Sequence, residues 1–156
     1  MATFSFPKSV NDILEAVLLP VDWYLCRISA EPEIKENKAK REGGADADKA
    51  GDNLVLVLHT QHETPEFNGR RLVKYLPWPK PGDENDFPSY CNGQCLLDNK
   101  MDTIAAWVDA FGGSIEGQDI ELVSGLEAQV MIIQEPDNRS GEMINSIDFN
   151  SLPKPA

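Results

Sequence analysis

A mainly β architecture is the fold class this chain predicts: a five-stranded antiparallel barrel with a helix between strands 3 and 4 and a short N-terminal helix. Three observations lead there. Alternating or β-branched apolar runs recur at 21–30, 54–58, 71–76, 120–132 and 143–149. After residue 20, helical spacing occurs in one stretch, Met101, Ile104, Ala105, Val108 and Phe111, which falls between the third and fourth of those runs. The second and third runs flank a breaker-rich segment with Thr64, Pro65, Asn68 and Gly69, as a hairpin requires. Sandwiches usually lack the intervening helix, and parallel-sheet folds need more helices than this chain offers.

In chain order, Ser9 caps a short amphipathic helix with apolar positions Val10, Ile13, Leu14, Val17 and Leu18, ended by Pro20. The first strand then puts Tyr24, Cys26 and Ile28 on a core face and Trp23, Leu25 and Arg27 on the other. Two placements of Trp23 are open: facing a ligand beside Arg27, or packed under the N-terminal helix. Residues 35–51 are polar, charged and glycine-bearing, which predicts a mobile loop. Residues 83–99, with Pro88 and Gly93, read as an irregular excursion. The following helix begins at Asp98 or Asn99 as its cap and stops at Gly112-Gly113, and Trp107 seals the core beside it. One domain over 1–150 with a short tail, 151–156, accounts for the whole chain.

Charge is the most informative property. The chain carries 26 acidic and 14 basic residues, a net −12 that by itself argues against a nucleic-acid partner. Yet residues 35–41 and 66–80 are each net +3; together they hold eight of the basic residues and two of the acidic ones, leaving −18 elsewhere. The second cluster interleaves Arg70, Arg71, Lys74 and Lys80 with Tyr75 and Trp78. Cations suit phosphates and ring faces suit unstacked bases, so this stretch is the candidate single-stranded nucleic-acid contact. Lys35, Lys38, Lys40 and Arg41 in the loop, with Trp23 and Arg27 on the first strand, complete the candidate set. Chance clustering of charge in solvated loops is the competing explanation.

The order strand, long loop, hairpin, helix, two strands is that of the OB-fold, whose second and third strands form the binding face. The succession Leu19-Pro20-Val21-Asp22-Trp23-Tyr24, then Leu54-Val55-Leu56 leading to Phe67-Asn68-Gly69-Arg70-Arg71, recurs in a known group. With Phe111-Gly112, Gly125-Leu126-Glu127-Ala128-Gln129-Val130 and Ile144-Asn145-Ser146-Ile147, residues 19–150 resemble phage-encoded single-stranded-DNA-binding-like OB-fold proteins of replication and recombination modules. Asp22 stands where members often have glycine. The resemblance implies single-stranded DNA as partner, replication or recombination proteins as further partners, and host cytoplasm as location. A homodimer is compatible with it, since linked sites multiply avidity.

Other classes find little support. GxxxxGK, GxSxG and HExxH are all absent, so no enzyme is expected. Cys91 and Cys95 are separated by three residues with no second ligand pair after them, so neither a metal nor a cofactor is expected, and three cysteines suit a reducing compartment. No apolar run approaches the ~20 residues that cross a bilayer, which predicts a soluble, cytoplasmic protein with no membrane contact. The alternative function is an acidic OB-fold interaction module, an inhibitor or nucleic-acid mimic, whose −18 body docks on another protein.

Overall fold

A computed structural model describes residues 2–3, 17–36 and 51–156. The predicted N-terminal helix, apart from its end at Val17 and Leu18, and the loop cations Lys38, Lys40 and Arg41 lie outside the described residues.

The described elements are β1 (Asp22–Ile28), β2 (Glu33–Glu36), β3 (Asp52–Thr60), β4 (Arg71–Pro77), α1 (Leu96–Ala110), β5 (Ser114–Glu116), β6 (Asp119–Glu121), β7 (Glu127–Pro136), β8 (Met143–Ile147) and β9 (Lys154–Pro155). Seven strands form one antiparallel sheet, and β5 and β6 form a separate hairpin. β3 is its hub: β4 pairs along one edge, while β2 and then β1 pair along the other. β7 plays the same part in the other half, with β1 on one edge and β9 and β8 on the opposite one.

Side-chain alternation explains the layering. Tyr24, Cys26 and Ile28 of β1, Leu54, Leu56 and Leu58 of β3, Leu72 and Leu76 of β4, and Ala128, Val130 and Ile132 of β7 are buried on one face. The helix covers that face with Ile104, Trp107 and Val108, and Phe111 just beyond it stacks on Trp107 at 6.1 Å between centroids.

The expected architecture holds at the level of an antiparallel, mainly β sheet with one helix, and differs in three ways. The sheet does not close into a barrel: β4 and β8 approach, but no ladder joins them among the described residues. Leu18, Leu19, Arg70 and Leu72 line the cleft left at this seam with Met143 and Asn145, about 390 Å³ in volume. Leu19 is buried there and held at both backbone groups, its N–H donating to Asn145 Oδ1 at 2.7 Å and its carbonyl accepting from Asn145 Nδ2 at 2.9 Å. A side chain thus occupies a backbone partner's role, which is one reason the strands can stay apart.

Second, the strand count exceeds five, and the helix follows the fourth strand. The loop was expected over residues 35–51, but Lys35 and Glu36 belong to β2, which pairs in register with β3, Ile34 opposite Leu54 and Lys35 opposite Asn53. The tail also pairs, Lys154 opposite Gln129. Both segments are short and exposed, so no burial pattern marks them in the sequence.

Third, α1 begins earlier than Asp98. Cys95 is its cap, the thiol accepting from Asp98 N–H at 3.5 Å. Residues 83–99 therefore contain the first helical turn as well as two tight turns, Asp83–Asn85 and Ser89–Cys91. A buried ion pair fastens this stretch to the helix: Lys100 Nζ lies 2.7 Å from Asp83 Oδ2, which also accepts from Lys80 N–H at 2.9 Å. Burial alone would raise the Asp83 carboxyl, but the hydrogen bonds and charges of Lys100 and Lys80 hold it below the ordinary carboxylate range.

Candidate nucleic-acid interface

The sheet's other face carries the candidate site. Strand alternation turns Arg71, Val73 and Tyr75 of β4 to the other face, together with Val57 and His59 of β3 and with Val55, which is buried there. Register places Arg27 opposite His59 and His59 opposite Arg71, so three strands contribute one basic row. Beyond it, Val57 faces Val73, and Val55 faces both Tyr75 and Glu33. Lys35, opposite Asn53, stands at the far end. The Tyr75 ring is 60% exposed, large for an aromatic on a sheet, and therefore open to a stacking partner.

Two ion pairs temper the charge of this face. Arg27 meets Glu127 at 3.6 Å and Lys35 meets Glu33 at 3.6 Å, all with exposed or half-exposed side chains. Such pairs contribute little and exchange readily for a better anion. Arg71 has no ion-pair partner among the described residues.

Several candidates stand elsewhere. Lys74 shares the inward face with Leu72 and Leu76; its ammonium sits 5.2 Å from the Trp107 centroid and 5.7 Å from that of Phe149. Desolvation lowers its pKa, against the opposing effect of Asp148. Arg70 turns into the seam, donating to Val17 O at 2.7 Å and Glu66 O at 3.3 Å. Trp78 packs against the core, with its backbone N–H donating to Asp52 O at 2.9 Å. Lys80 follows in the connection to α1, outside the strands of the outer face, its backbone N–H donating to Asp83 Oδ2 at 2.9 Å. Trp23 does lie on the outer face, but Lys154 covers its ring at 4.0 Å from the centroid.

No family model matches the chain, and no curated protein matches it. The candidate interface therefore stands on geometry alone. Arg71, Tyr75, Arg27 and Lys35 share one face; Trp23 shares it under a cap; Lys74, Arg70 and Trp78 do not join them. Sequence reasoning missed His59, which only the β3–β4 register brings into line with Arg71, and Lys154, which lies in what reads as a tail.

The hairpin's connection is positioned by Thr60. Fully buried, its Oγ1 donates to Phe67 O at 2.6 Å and accepts from Arg70 N–H at 2.9 Å, while its own N–H and carbonyl bond Arg70 O and Gly69 N–H. Gly69 supplies the positive φ, 71°, that the return needs. This residue therefore sets where Arg71 enters β4.

Two of the cysteines, Cys26 and Cys91, are buried. Burial pushes the Cys26 thiol up to about 12, and raises Cys91 with help from Asp86 and Cys95. Thiols held protonated are poor nucleophiles and poor metal ligands. Among the described residues no three His, Cys, Asp or Glu side chains are placed to hold a metal, and no helix is long and apolar enough to cross a membrane.

Proposed function

We propose that the outer face of β1, β3 and β4 binds single-stranded DNA in a sequence-tolerant manner. The observation carrying this reading is the pairing of exposed Tyr75 with Arg71 on one face of β4, about 13 Å apart along the strand at the usual rise. A base stacks on the Tyr75 ring, backed by the apolar floor of Val55, Val57 and Val73. Adjacent phosphates meet Arg71 and His59 on one side and Lys35 on the other. Arg27 joins by exchanging Glu127 for phosphate.

Sequence tolerance follows from the groups involved. Every base has a flat face, and guanidinium and ammonium groups read charge, not sequence. The motif resemblance supports a setting in phage DNA replication or recombination. The acidic remainder of the chain keeps duplex DNA at a distance, since its denser charge meets more repulsion beyond the basic row.

Fluorescence anisotropy with labelled oligothymidine, matched duplex and RNA probes tests the reading. Affinity for the single strand should fall steeply with salt, and Tyr75→Ala should weaken it by ~1–3 kcal/mol, the usual worth of one stacked base. Salt-independent binding, or unchanged affinity in Tyr75→Ala, would exclude this interface. Absence of oligonucleotide binding would favour the acidic interaction module.

A further inference from the structure

The groove on the opposite side of β4 has a different chemistry. About 640 Å³ in volume, it runs between β4, α1 and residues 149–152, within the size range of small-molecule sites. Lys74 lies at its floor, with the Trp107 and Phe149 rings beside the ammonium. Phe149 is 87% exposed and Tyr90 70% exposed, so two unburied rings border it. Asn99 and Thr103 of α1 add polar groups to its wall.

The charges are unequal in their commitments. Lys100, also lining the groove, is consumed by Asp83 at 2.7 Å. Lys74 has no carboxylate within 4.0 Å and donates no hydrogen bond to protein among the described residues. Asp148, the nearest acid acting on it, accepts instead from Ser151 Oγ and Asn150 N–H. An ammonium lodged between rings, short of acceptors and open to a cavity, lacks one anionic partner.

We propose that this groove binds a nucleoside 5′-monophosphate, free or as the 5′-phosphorylated end of a strand, with Lys74 holding the phosphate and Phe149 and Tyr90 flanking the base. One uncommitted cation matches one phosphate. Flat rings match a base, and the Asn99 amide offers both a donor and an acceptor to its edge. A fatty acid or peptide carboxylate would use the cation and leave the rings and the amide without complementary partners. Desolvation of Lys74 fits the same picture, because a bound phosphate restores the charged form that burial disfavours.

Tyr75 borders both this groove and the outer face, so the test separates the two sites through Lys74 and Arg71, which leave β4 on opposite faces. Deoxyadenosine 5′-monophosphate, deoxyadenosine and inorganic phosphate are titrated separately, followed by tryptophan fluorescence, which Trp107 reports from the groove wall. The mononucleotide should bind saturably, with deoxyadenosine and phosphate each roughly ten- to a hundredfold weaker, as loss of a charge-assisted hydrogen bond or a stacked base implies. Lys74→Met and Phe149→Ala should weaken the mononucleotide to a similar degree, and Arg71→Glu should leave it unchanged. Phe149 is exposed, so its truncation tests binding without endangering the fold. Comparing 5′-phosphorylated with 5′-hydroxyl oligonucleotides assigns the source: preference for the phosphorylated strand identifies a strand end, and indifference with retained mononucleotide binding identifies a free nucleotide. No saturable binding, equal binding of deoxyadenosine, or wild-type affinity in Lys74→Met would each overturn the proposal.

Discussion

Arg71 and Lys74, three residues apart on β4, leave the strand on opposite faces of the sheet. Arg71 stands exposed, opposite His59, whereas Lys74 turns inward to the Trp107 and Phe149 rings. A stretch that reads as one basic cluster is thus divided by the two-residue period of a strand. Its charges serve different sites.

The position of Lys74 carries a thermodynamic cost. Its lowered pKa means that, between the folded value and the ordinary 10.5, the native state binds fewer protons than the unfolded chain, so stability rises with pH there. Lys74→Met removes the desolvated charge while keeping the stem's bulk. We predict a higher Tm at neutral pH and loss of the alkaline rise. Thermal unfolding at neutral and alkaline pH measures both.

Asp83 has the opposite sign. Its pKa is depressed, so its contribution is fully present above the ordinary carboxylate value of 3.8 and is lost as pH falls through the lower folded value. Lys100→Met leaves this carboxylate buried without its partner and should cost about 3–5 kcal/mol, as broken buried pairs do. The deficit should shrink as pH falls and the unpaired Asp83 takes up a proton, measured by denaturant unfolding at neutral and acid pH.

Thr60→Val keeps shape and removes the hydroxyl that bridges Phe67 O and Arg70 N–H. Two backbone groups then lose a partner beside a fully buried residue. The expected destabilisation is roughly 2–3 kcal/mol, seen as a lower denaturation midpoint with an unchanged slope. Oligonucleotide affinity should fall with it, because this contact sets the entry of Arg71 into β4.

Gly113 is fixed by contact, not by φ. A Cβ there would meet Glu121 O at 2.5 Å and Val108 Cγ1 at 2.9 Å. Gly113→Ala should destabilise by about 1–3 kcal/mol through overpacking, whereas a helix-stop role alone would predict a near-neutral effect. Thermal melting distinguishes the two.

The inner faces were legible in the sequence because burial imposes alternation. Tyr24, Cys26 and Ile28, or Ala128, Val130 and Ile132, have no other arrangement that hides them. β2 and β9 were not, since exposed edge segments such as Glu33–Glu36 leave no apolar period behind. The open seam was hidden for a related reason: the clamp of Asn145 on Leu19 spans 126 positions, and no local pattern announces it. At the candidate interface, residue type was visible and facing was not. Parity separates Arg71 and Tyr75 from Lys74, but only the register with β3 and β1 adds His59 and Arg27 to their row.

The most direct test compares one 5′-hydroxyl oligothymidine binding to wild type, Arg71→Glu and Lys74→Met by anisotropy at low salt. Binding on the outer face predicts that Arg71→Glu loses roughly tenfold or more in affinity while Lys74→Met stays within about twofold of wild type. Equal losses in both variants, or a loss confined to Lys74→Met, would contradict it.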